Sequence, residues 1–305
     1  MDGIVYLEDQ HTPQADLVTT IAKIGKTKTP FYALINKGTP DKKGKAKDGH
    51  QWWYETAPTG SDDNAHLEGG DTANNVERNL GESKNHYQII KHEYGVTGSA
   101  KGKQDIEGKD ELVTQGVTSM DDHLLTIERI ILSSATPVQR DNLAIPKVAG
   151  KLGGIRHWIT VENSVVAGTV ALNKTHLRDM FKIGWKEGVE TEYVFMNDAQ
   201  KDALDNLDLD SNNGIYGKKD LRVNDYQTIK NFTYAKDVKV ILTPHLPQDM
   251  ILGVNADSVA LVHQRLTEVE ELGKTGDMLK KTIITELTLR VNNPYGVTAI
   301  TGLNV

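Results

Sequence analysis

The stretch DELVTQGVTSMDDHLLTIERIILSS, residues 110–134, carries the clearest periodic pattern in the chain. Its apolar residues recur at spacings of four and three: Val113, Val117, Met120, Leu124, Ile127 and Ile131. This spacing predicts one helix with one buried stripe, roughly 37 Å long at about 1.5 Å per residue. Gly116 weakens the helix by about 1 kcal/mol relative to Ala without ending it, and Pro137 lies just beyond its expected end. Because the pattern is short, a helix packed within a globular subunit is favoured over a coiled coil.

The segments on the N-terminal side of this helix predict a long hairpin. Residues 51–55 and 87–96 have the composition of strands, and the tract between them is polar and rich in Gly, Asn and Asp. Two strands joined by such a tract have little core of their own. Further upstream, residues 13–24 predict a short amphipathic helix, which either docks on a neighbour or lies on its own subunit.

The segments after the long helix predict an α/β lobe. A loop at 150–154 precedes the lobe, and Asn197 is the candidate N-cap of its second helix. Helical patterns occur at 176–187 and 197–207, and strand patterns at 192–196 and 238–242.

The C-terminal third predicts β structure, with strands at 258–265 and 285–292 around a turn at 273–277. In the second strand, apolar and polar residues alternate. The apolar set is Leu287, Leu289 and Val291, and the polar set is Glu286, Thr288, Arg290 and Asn292. This alternation predicts that one side of the strand faces solvent.

Length and composition restrict the class of protein. At 305 residues, one elaborate domain or two linked lobes are expected. The chain has no Cys, which excludes disulfides, a thiol nucleophile and Cys-ligated metal. A net charge of −7 argues against a dedicated DNA-binding surface and suits a surface that lies beside nucleic acid without adhering to it. There is no signal-peptide pattern and no long apolar run, so we expect a cytoplasmic chain without a membrane span.

No catalytic or metal-binding constellation occurs in the sequence. The segment GSAKG at 98–102 places its Ser one position early for a hydrolase elbow, and neither a phosphate-binding loop nor an H-E-x-x-H motif is present. His86 and His92 would lie roughly 20 Å apart on one strand, too far to share an ion, and are expected to be surface imidazoles. The run DDH at 121–123 is expected to be structural because adjacent helical residues point in different directions. We therefore expect no catalytic residue, cofactor or metal.

Six short strings spread along the chain carry a family resemblance. They are TPFYALINKG (29–38), HQWW (50–53), TIERIIL (126–132), FMNDAQK (195–201), KTGD (274–277) and LRVNN (289–293). Together they resemble a family of tailed-phage major head proteins over about residues 27–303. Each string is weak by itself, and their common order makes the resemblance specific.

The resemblance implies the Hong Kong 97-type capsid fold, an α+β architecture with an N-terminal arm, an extended hairpin loop, a peripheral lobe and an axial lobe. The implied ranges are 1–30 for the arm, 31–97 for the hairpin loop, 98–149 for the peripheral lobe with its spine helix, 150–256 for the axial lobe, and 257–305 for the peripheral-lobe sheet and C-terminal strand. The spine helix would run from about 105 to 135, residues 58–84 would form a long hairpin tip, and 205–220 would be a local insertion.

The function implied by this resemblance is self-assembly into hexamers and pentamers that form an icosahedral head enclosing phage DNA, without enzymatic activity or a cofactor. Separate scaffolding, portal and decoration proteins are further candidate partners. The expected locations are the host cytoplasm before assembly and the virion capsid afterwards. Because arms and hairpins have little core, we expect them to gain burial by lying over neighbouring subunits.

The residues expected at assembly interfaces are Trp52, Trp53, Tyr54, Leu67, Val76, Leu80, Lys274 and Asp277. The aromatic run at 52–54 could instead bind a sugar or a base. In a strand, however, Trp52 and Tyr54 share one face and Trp53 lies on the other. A subunit contact explains large aromatic residues on a hairpin equally well.

Three alternatives remain open from the sequence. An encapsulin-like compartment would share the general fold. An unrecognised cytoplasmic enzyme would be a monomer or small oligomer with a concave polar site. A carbohydrate-binding or adhesion module would be secreted and would bind soluble sugar through Trp52 and Trp53.

Overall fold

The computed structural model describes residues 28–38, 49–58, 60, 62–69, 78–101, 110–207, 228–231, 236–273 and 276–304. The predicted helix at 13–24, nearly all of the insertion at 205–220, and the interface candidates Val76 and Lys274 lie outside these residues. The described part contains four α-helices: α1 (Pro30–Leu34), α2 (Glu111–Ile131), α3 (Lys174–Lys186) and α4 (Asp198–Asn206). Its strands are β1 (Asn36–Gly38), β2 (His50–Glu55), β3 (Leu80–Asn85), β4 (Gln88–Thr97), β5 (Ser164–Val170), β6 (Tyr193–Met196), β7 (Thr228–Asn231), β8 (Lys236–Leu242), β9 (Ile251–Val254), β10 (Val259–Glu271), β11 (Met278–Val291) and β12 (Val297–Leu303).

The longer helices begin at polar caps. The Asp110 carboxylate accepts the backbone N–H of Leu112 at the start of α2. Asn173 caps α3, and Asn197 caps α4 by accepting the backbone N–H of Asp198, which confirms the predicted cap. Each side chain satisfies a backbone donor that the helix itself leaves unpaired. The predicted long helix is therefore present, although it is shorter than the expected 105–135 within the described residues.

Two main sheets organise the chain. The four-stranded sheet has the order β1-β10-β11-β4, and α2 packs on β4 and β11. The six-stranded sheet has the order β5-β12-β9-β6-β8-β7, with α3 packed on β5 and β12. The C-terminal strand β12 lies between the edge strand β5 and β9, so the chain returns to an interior position of the second sheet.

One hydrophobic core joins the two sheets. It contains Ile127 of α2 and Leu289 of β11 together with Phe195 of β6 and Val297 of β12. Phe31 of α1 meets Phe195 edge to face, with the ring centroids 5.0 Å apart. A second core lies beneath α3 in the six-stranded sheet. The lobes are thus continuous in packing although each has its own sheet.

The predicted hairpin pairing is wrong. β2 pairs antiparallel with β3, from His50 opposite Asn85 to Glu55 opposite Leu80. The predicted partner segment forms β4 instead and pairs with β11. Strand β3 ends at Asn85, and β4 begins three residues later at Gln88. Asn85 is fully buried, and its side-chain amide donates to the carbonyls of Gly153 at 3.1 Å and Leu289 at 2.7 Å. Both hydrogen-bond partners are distant in sequence, so no local sequence pattern predicts that the strand ends here.

The predicted stripe of the long helix is right at its C-terminal end and wrong at its N-terminal end. Ile127 and Ile131 are fully buried, whereas Val113 is 59% exposed and Val117 is 52% exposed. At the N-terminal end Gly116 faces the sheet, where an added Cβ would lie 3.2 Å from the ring of Tyr94. This large ring fills the space beside the helix, so the glycine packs there and the valines point away.

The predicted solvent-facing side of β11 is also wrong. Glu286 is 6% exposed and Thr288 is fully buried. The carboxylate of Glu286 accepts a hydrogen bond of 2.6 Å from the guanidinium of Arg140, which belongs to the segment that follows α2. A chain segment 146 residues away in sequence therefore covers this side of the strand.

Candidate assembly surfaces

Trp52 anchors the hairpin β2–β3 to its own subunit. It is 7% exposed, and its Nε1–H donates to the carbonyl of Val291 at 2.8 Å. Its ring centroid lies 5.5 Å from that of Trp158 and 5.8 Å from that of His50. A buried indole with its N–H satisfied fixes the root of a ribbon that has little core of its own. Trp52 is therefore not part of the exposed surface of the hairpin.

Beyond this root, the hairpin exposes large apolar side chains. Trp53 is 66% exposed, Leu67 is 88% exposed and Leu80 is 48% exposed. Tyr54 is 36% exposed and lies across the partner strand, where a Cβ on the opposing Gly81 would overlap its ring. Within the described residues, β2 and β3 pair only with each other. Trp52 is thus covered by its own subunit at the root of the ribbon, whereas Trp53, Leu67 and Leu80 remain exposed in the described chain.

Asp277 lies where the ribbon β4–β11 ends. Its backbone carbonyl accepts the N–H of Gly98 at 2.8 Å. A Cβ on Gly98 would overlap the Asp277 carboxylate, so the exposed side chain of Asp277 would have to turn away if residue 98 carried a side chain. The Asp277 carboxylate thus lies against Gly98 of its own chain, in the turn that joins β10 to β11.

Glu128 connects the spine helix to the beginning of the described chain. Its two carboxylate oxygens accept the backbone N–H groups of Phe31, at 3.0 Å, and Tyr32, at 2.7 Å. These are donors at the start of α1, which has no side-chain cap of its own. Burial raises the pKa of Glu128, and the two backbone hydrogen bonds work in the opposite direction. The sequence string TIERIIL contains this residue, but its spacing gave no signal for the contact.

A histidine pair connects the same helix to the four-stranded sheet. His92 Nδ1 and His123 Nδ1 lie 2.9 Å apart, and the other nitrogen of His92 lies 3.1 Å from a carboxylate oxygen of Asp122. His123 Nε2 lies 2.7 Å from the hydroxyl of Thr285, which in turn lies 2.8 Å from that of Thr267. The expectation of a surface imidazole at position 92 is therefore wrong, because this ring is mostly buried in β4, whereas the structural interpretation of DDH agrees with these contacts.

The contact between the two Nδ1 atoms disfavours a state in which both histidine rings are protonated. Two imidazole nitrogens in contact need one donor and one acceptor, so two fully protonated rings would place two N–H groups against each other. Burial, and after it the neighbouring ring of His92, lower the pKa of His123 to about 4, while Asp122 acts in the opposite direction. Burial also lowers the pKa of His263 in β10, assisted by Lys37 and opposed by a hydrogen bond that the ring donates to the backbone of Gly38.

The described residues contain no cluster of three or more His, Asp or Glu side chains that could hold a metal ion. A shallow hollow between α2 and the turn after β8 is lined by Asp122, Leu125, Thr126, Arg129, Pro244 and His245. Among the helices described, none is long and apolar enough to cross a membrane. The prominent surface feature described above is instead the hairpin β2–β3, which exposes Trp53 and Leu67 and is anchored by the buried Trp52.

The family described as SU10 major capsid protein matches residues 5–304. The chain belongs to this family. It is thus a major capsid protein, a structural component of a virion capsid and not an enzyme. No curated protein is detectably similar to it in sequence.

Solved phage capsids share the fold over nearly the whole chain. The cyanophage A-1(L) capsid asymmetric unit has a TM-score of 0.66 at 13% identity, covering 99% of this chain and 100% of that one. A structure from Microbacterium phage Oxtober96 has a TM-score of 0.64 at 13% identity, covering 97% of each chain. These likenesses confirm the predicted Hong Kong 97-type α+β fold.

The same fold also occurs in a compartment protein. The holo-SrpI encapsulin complex from Synechococcus elongatus matches with a TM-score of 0.59 at 12% identity, covering 95% of this chain and 93% of that one. At this identity the likeness concerns the fold alone. The family match therefore favours the phage capsid over the encapsulin.

Proposed function

We propose that this subunit assembles into hexameric and pentameric capsomers that close an icosahedral head around phage DNA. The exposed hairpin β2–β3 is the observation that carries the proposal. Its root is fixed by Trp52, whereas Trp53 and Leu67 have no cover in the described chain. An ordered ribbon with exposed apolar groups gains burial when it lies on another subunit.

The same proposal divides the chain into functional parts. The arm is 1–30, and the hairpin loop occupies most of 31–97. The peripheral lobe combines 98–149 with the sheet of 257–305, and the axial lobe is 150–256. Because β4 pairs with β11 and β12 pairs with β9, we assign β4 to the peripheral lobe and β12 to the axial lobe.

Charge supports a shell wall that encloses DNA without binding it tightly. The net charge is −7, and non-specific affinity for DNA depends on cationic side chains that neutralise phosphates. The free subunit, present in the host cytoplasm before assembly, should therefore not retard duplex DNA at moderate salt. Scaffolding, portal and decoration proteins would be supplied as separate chains.

Shortening the hairpin tip tests the assembly proposal. Thr56 N donates to the carbonyl of Asn79 at 3.1 Å, so a short Gly/Ser turn can replace residues 58–77 without separating β2 from β3. We expect unchanged far-UV circular dichroism and an unchanged cooperative melt, but no closed particles in electron microscopy or sedimentation. A Gly/Ser segment of the original length is the control that separates reach from side-chain contacts. Stable shells from the shortened chain would refute the role of the tip.

An encapsulin-like compartment is the second candidate, because of the shared fold. The two differ in what the shell encloses. Particles formed during infection should protect phage DNA from nuclease if the subunit forms a head. Particles that contain a protein cargo and no protected DNA would support the compartment.

A further inference from the structure

The segment that joins α2 to the axial lobe forms a small ordered excursion. Its two sides are connected by antiparallel bridges, Val138 with Lys151 and Asp141 with Val148. Backbone hydrogen bonds run in both directions at each bridge, at 2.8 to 3.0 Å. The excursion is therefore a narrow hairpin and not an irregular loop.

Its base is fixed on the four-stranded sheet. Arg140 forms the ion pair with the buried Glu286, and the N–H of Leu152 donates to the side chain of Gln88 at 3.2 Å. Gly150 lies so close to the carbonyl of Tyr87 that a Cβ would come within 2.7 Å of it. These contacts hold the excursion on β11 and on the start of β4.

Its tip presents two aliphatic side chains to solvent. Leu143 is 93% exposed and Ile145 is 99% exposed, the two highest values among the exposed large hydrophobic residues of the described chain. The backbone around them is ordered by Asp141, whose carboxylate accepts the N–H groups of Leu143 at 2.8 Å and Ala144 at 3.1 Å. By contrast, Leu152 at the base is fully buried.

An ordered tip of this kind is suited to docking. Removing a large aliphatic side chain from water is favourable in proportion to its area, and both side chains are almost wholly available for burial. Because the backbone is already hydrogen-bonded, little conformational entropy remains to be lost on binding. The nearby guanidinium of Arg140 is paired within the subunit, so docking does not require its desolvation as a free charge.

We propose that the tip, Leu143 with Ile145, is a self-association contact that packs on an apolar surface of a second copy of this chain. The identity of the binding partner follows from the family. A shell contains many copies of its major capsid protein, so every copy carries the same exposed tip. Left uncovered, such a repeated apolar point would favour irregular aggregation. This inference rests on the proposed assembly and deepens it.

The first test combines substitution with assembly. The double variant Leu143→Ser with Ile145→Ser should retain the melting temperature of the free subunit, because neither side chain packs within it. It should need at least about tenfold more protein to form shells, as expected when central apolar contacts of an interface are lost. Asn142→Ser, at an exposed polar neighbour, is the matched control and should assemble as the unaltered chain does. Equal assembly of the double variant and this control would overturn the inference.

The second test uses the absence of Cys from the sequence. In the variant Ile145→Cys the only thiol lies at the tip. Alkylation of this thiol should be at least about tenfold slower in shells than in free subunits. The fast rate should return when the shells are dissociated. A photo-crosslinker on this thiol, in shells mixed from isotopically light and heavy subunits, should give light–heavy crosslinked peptides of this chain. Equal alkylation rates, or crosslinks to a different protein alone, would overturn the contact. If the unaltered chain forms no shells under any condition, the proposed assembly fails and this inference with it.

Discussion

The two ends of helix α2 have the same apolar spacing but lie in different surroundings. At the C-terminal end, Ile127 and Ile131 enter the core that joins both sheets. At the N-terminal end, Val113 and Val117 face outwards, and Gly116 packs beside Tyr94. Periodicity thus identifies the helix, but the size of the opposing side chains decides which face is buried. The two ends also make different predictions for stability.

Placing an acidic residue at each end should give the largest difference. Ile127→Asp buries a charge or forces its neutralisation and should lower the free energy of unfolding by about 4 kcal/mol or more. Val117→Asp lies on the exposed face and should cost less than about 1 kcal/mol. Urea unfolding of the free subunit measures both. Similar losses at the two sites would show that the ends are equally buried.

The next effect concerns the carboxylate that caps α1. Glu128→Gln retains one acceptor oxygen but turns an NH₂ group towards a backbone N–H, so a loss of about 1–3 kcal/mol is expected. Glu111→Gln, in the first turn of the same helix, is the matched control and should cost about 0.5 kcal/mol or less. Hydrogen exchange at Phe31 and Tyr32 should accelerate only in the first variant. Unchanged exchange there would contradict the cap.

The histidine pair near the middle of α2 should make stability depend on pH. Burial lowers the pKa of His123 to about 4 in the folded chain, against about 6.5 when unfolded. The contribution is therefore fully present above about pH 6.5 and is lost as pH falls towards 4, because only the unfolded state gains the proton in that range. At about 1.36 kcal/mol per pKa unit, we expect a loss on the order of 3 kcal/mol from this group.

The variant His123→Gln should flatten the decline in stability between these pH values. His66→Gln, at an exposed histidine, should leave it unchanged. The measurement is urea unfolding at a series of pH values. Equal slopes in the unaltered chain and His123→Gln would refute the role of His123, while a residual slope is expected from His263, whose pKa burial also lowers.

The smallest effect is expected at the glycine of the N-terminal end. Gly116→Ala gains helix propensity worth about 1 kcal/mol, part of which is offset because the new Cβ must displace the half-buried ring of Tyr94. We expect a net stabilisation of less than about 1 kcal/mol by thermal unfolding. Gly116→Leu should instead destabilise the subunit, since the ring cannot move far enough. A stabilised Leu variant would show that this end of the helix is not packed on the sheet.

Much of the fold was predictable because the relevant signals are local. The apolar spacing of α2, the Asn197 cap and the strand composition of β6, β8 and β10 depend on neighbours along the chain. The family resemblance likewise depended on strings of adjacent residues in a common order. The exposed part of the hairpin was predictable from its polar tract, which offers too few apolar residues for a core.

What only the tertiary structure decided concerns contacts between distant segments. His123 and Thr285 are 162 residues apart, Arg140 and Glu286 are 146 apart, and Trp52 meets the carbonyl of Val291 across 239. No periodic pattern records such a partner, so Glu286 was expected to face solvent and the contact of Trp52 within its own subunit was not predicted. The sequence alone determined the three longer helices, the strands β6, β8 and β10, and the family to which the chain belongs. Whether a particular apolar or charged side chain is buried depended on which remote segment packs over it.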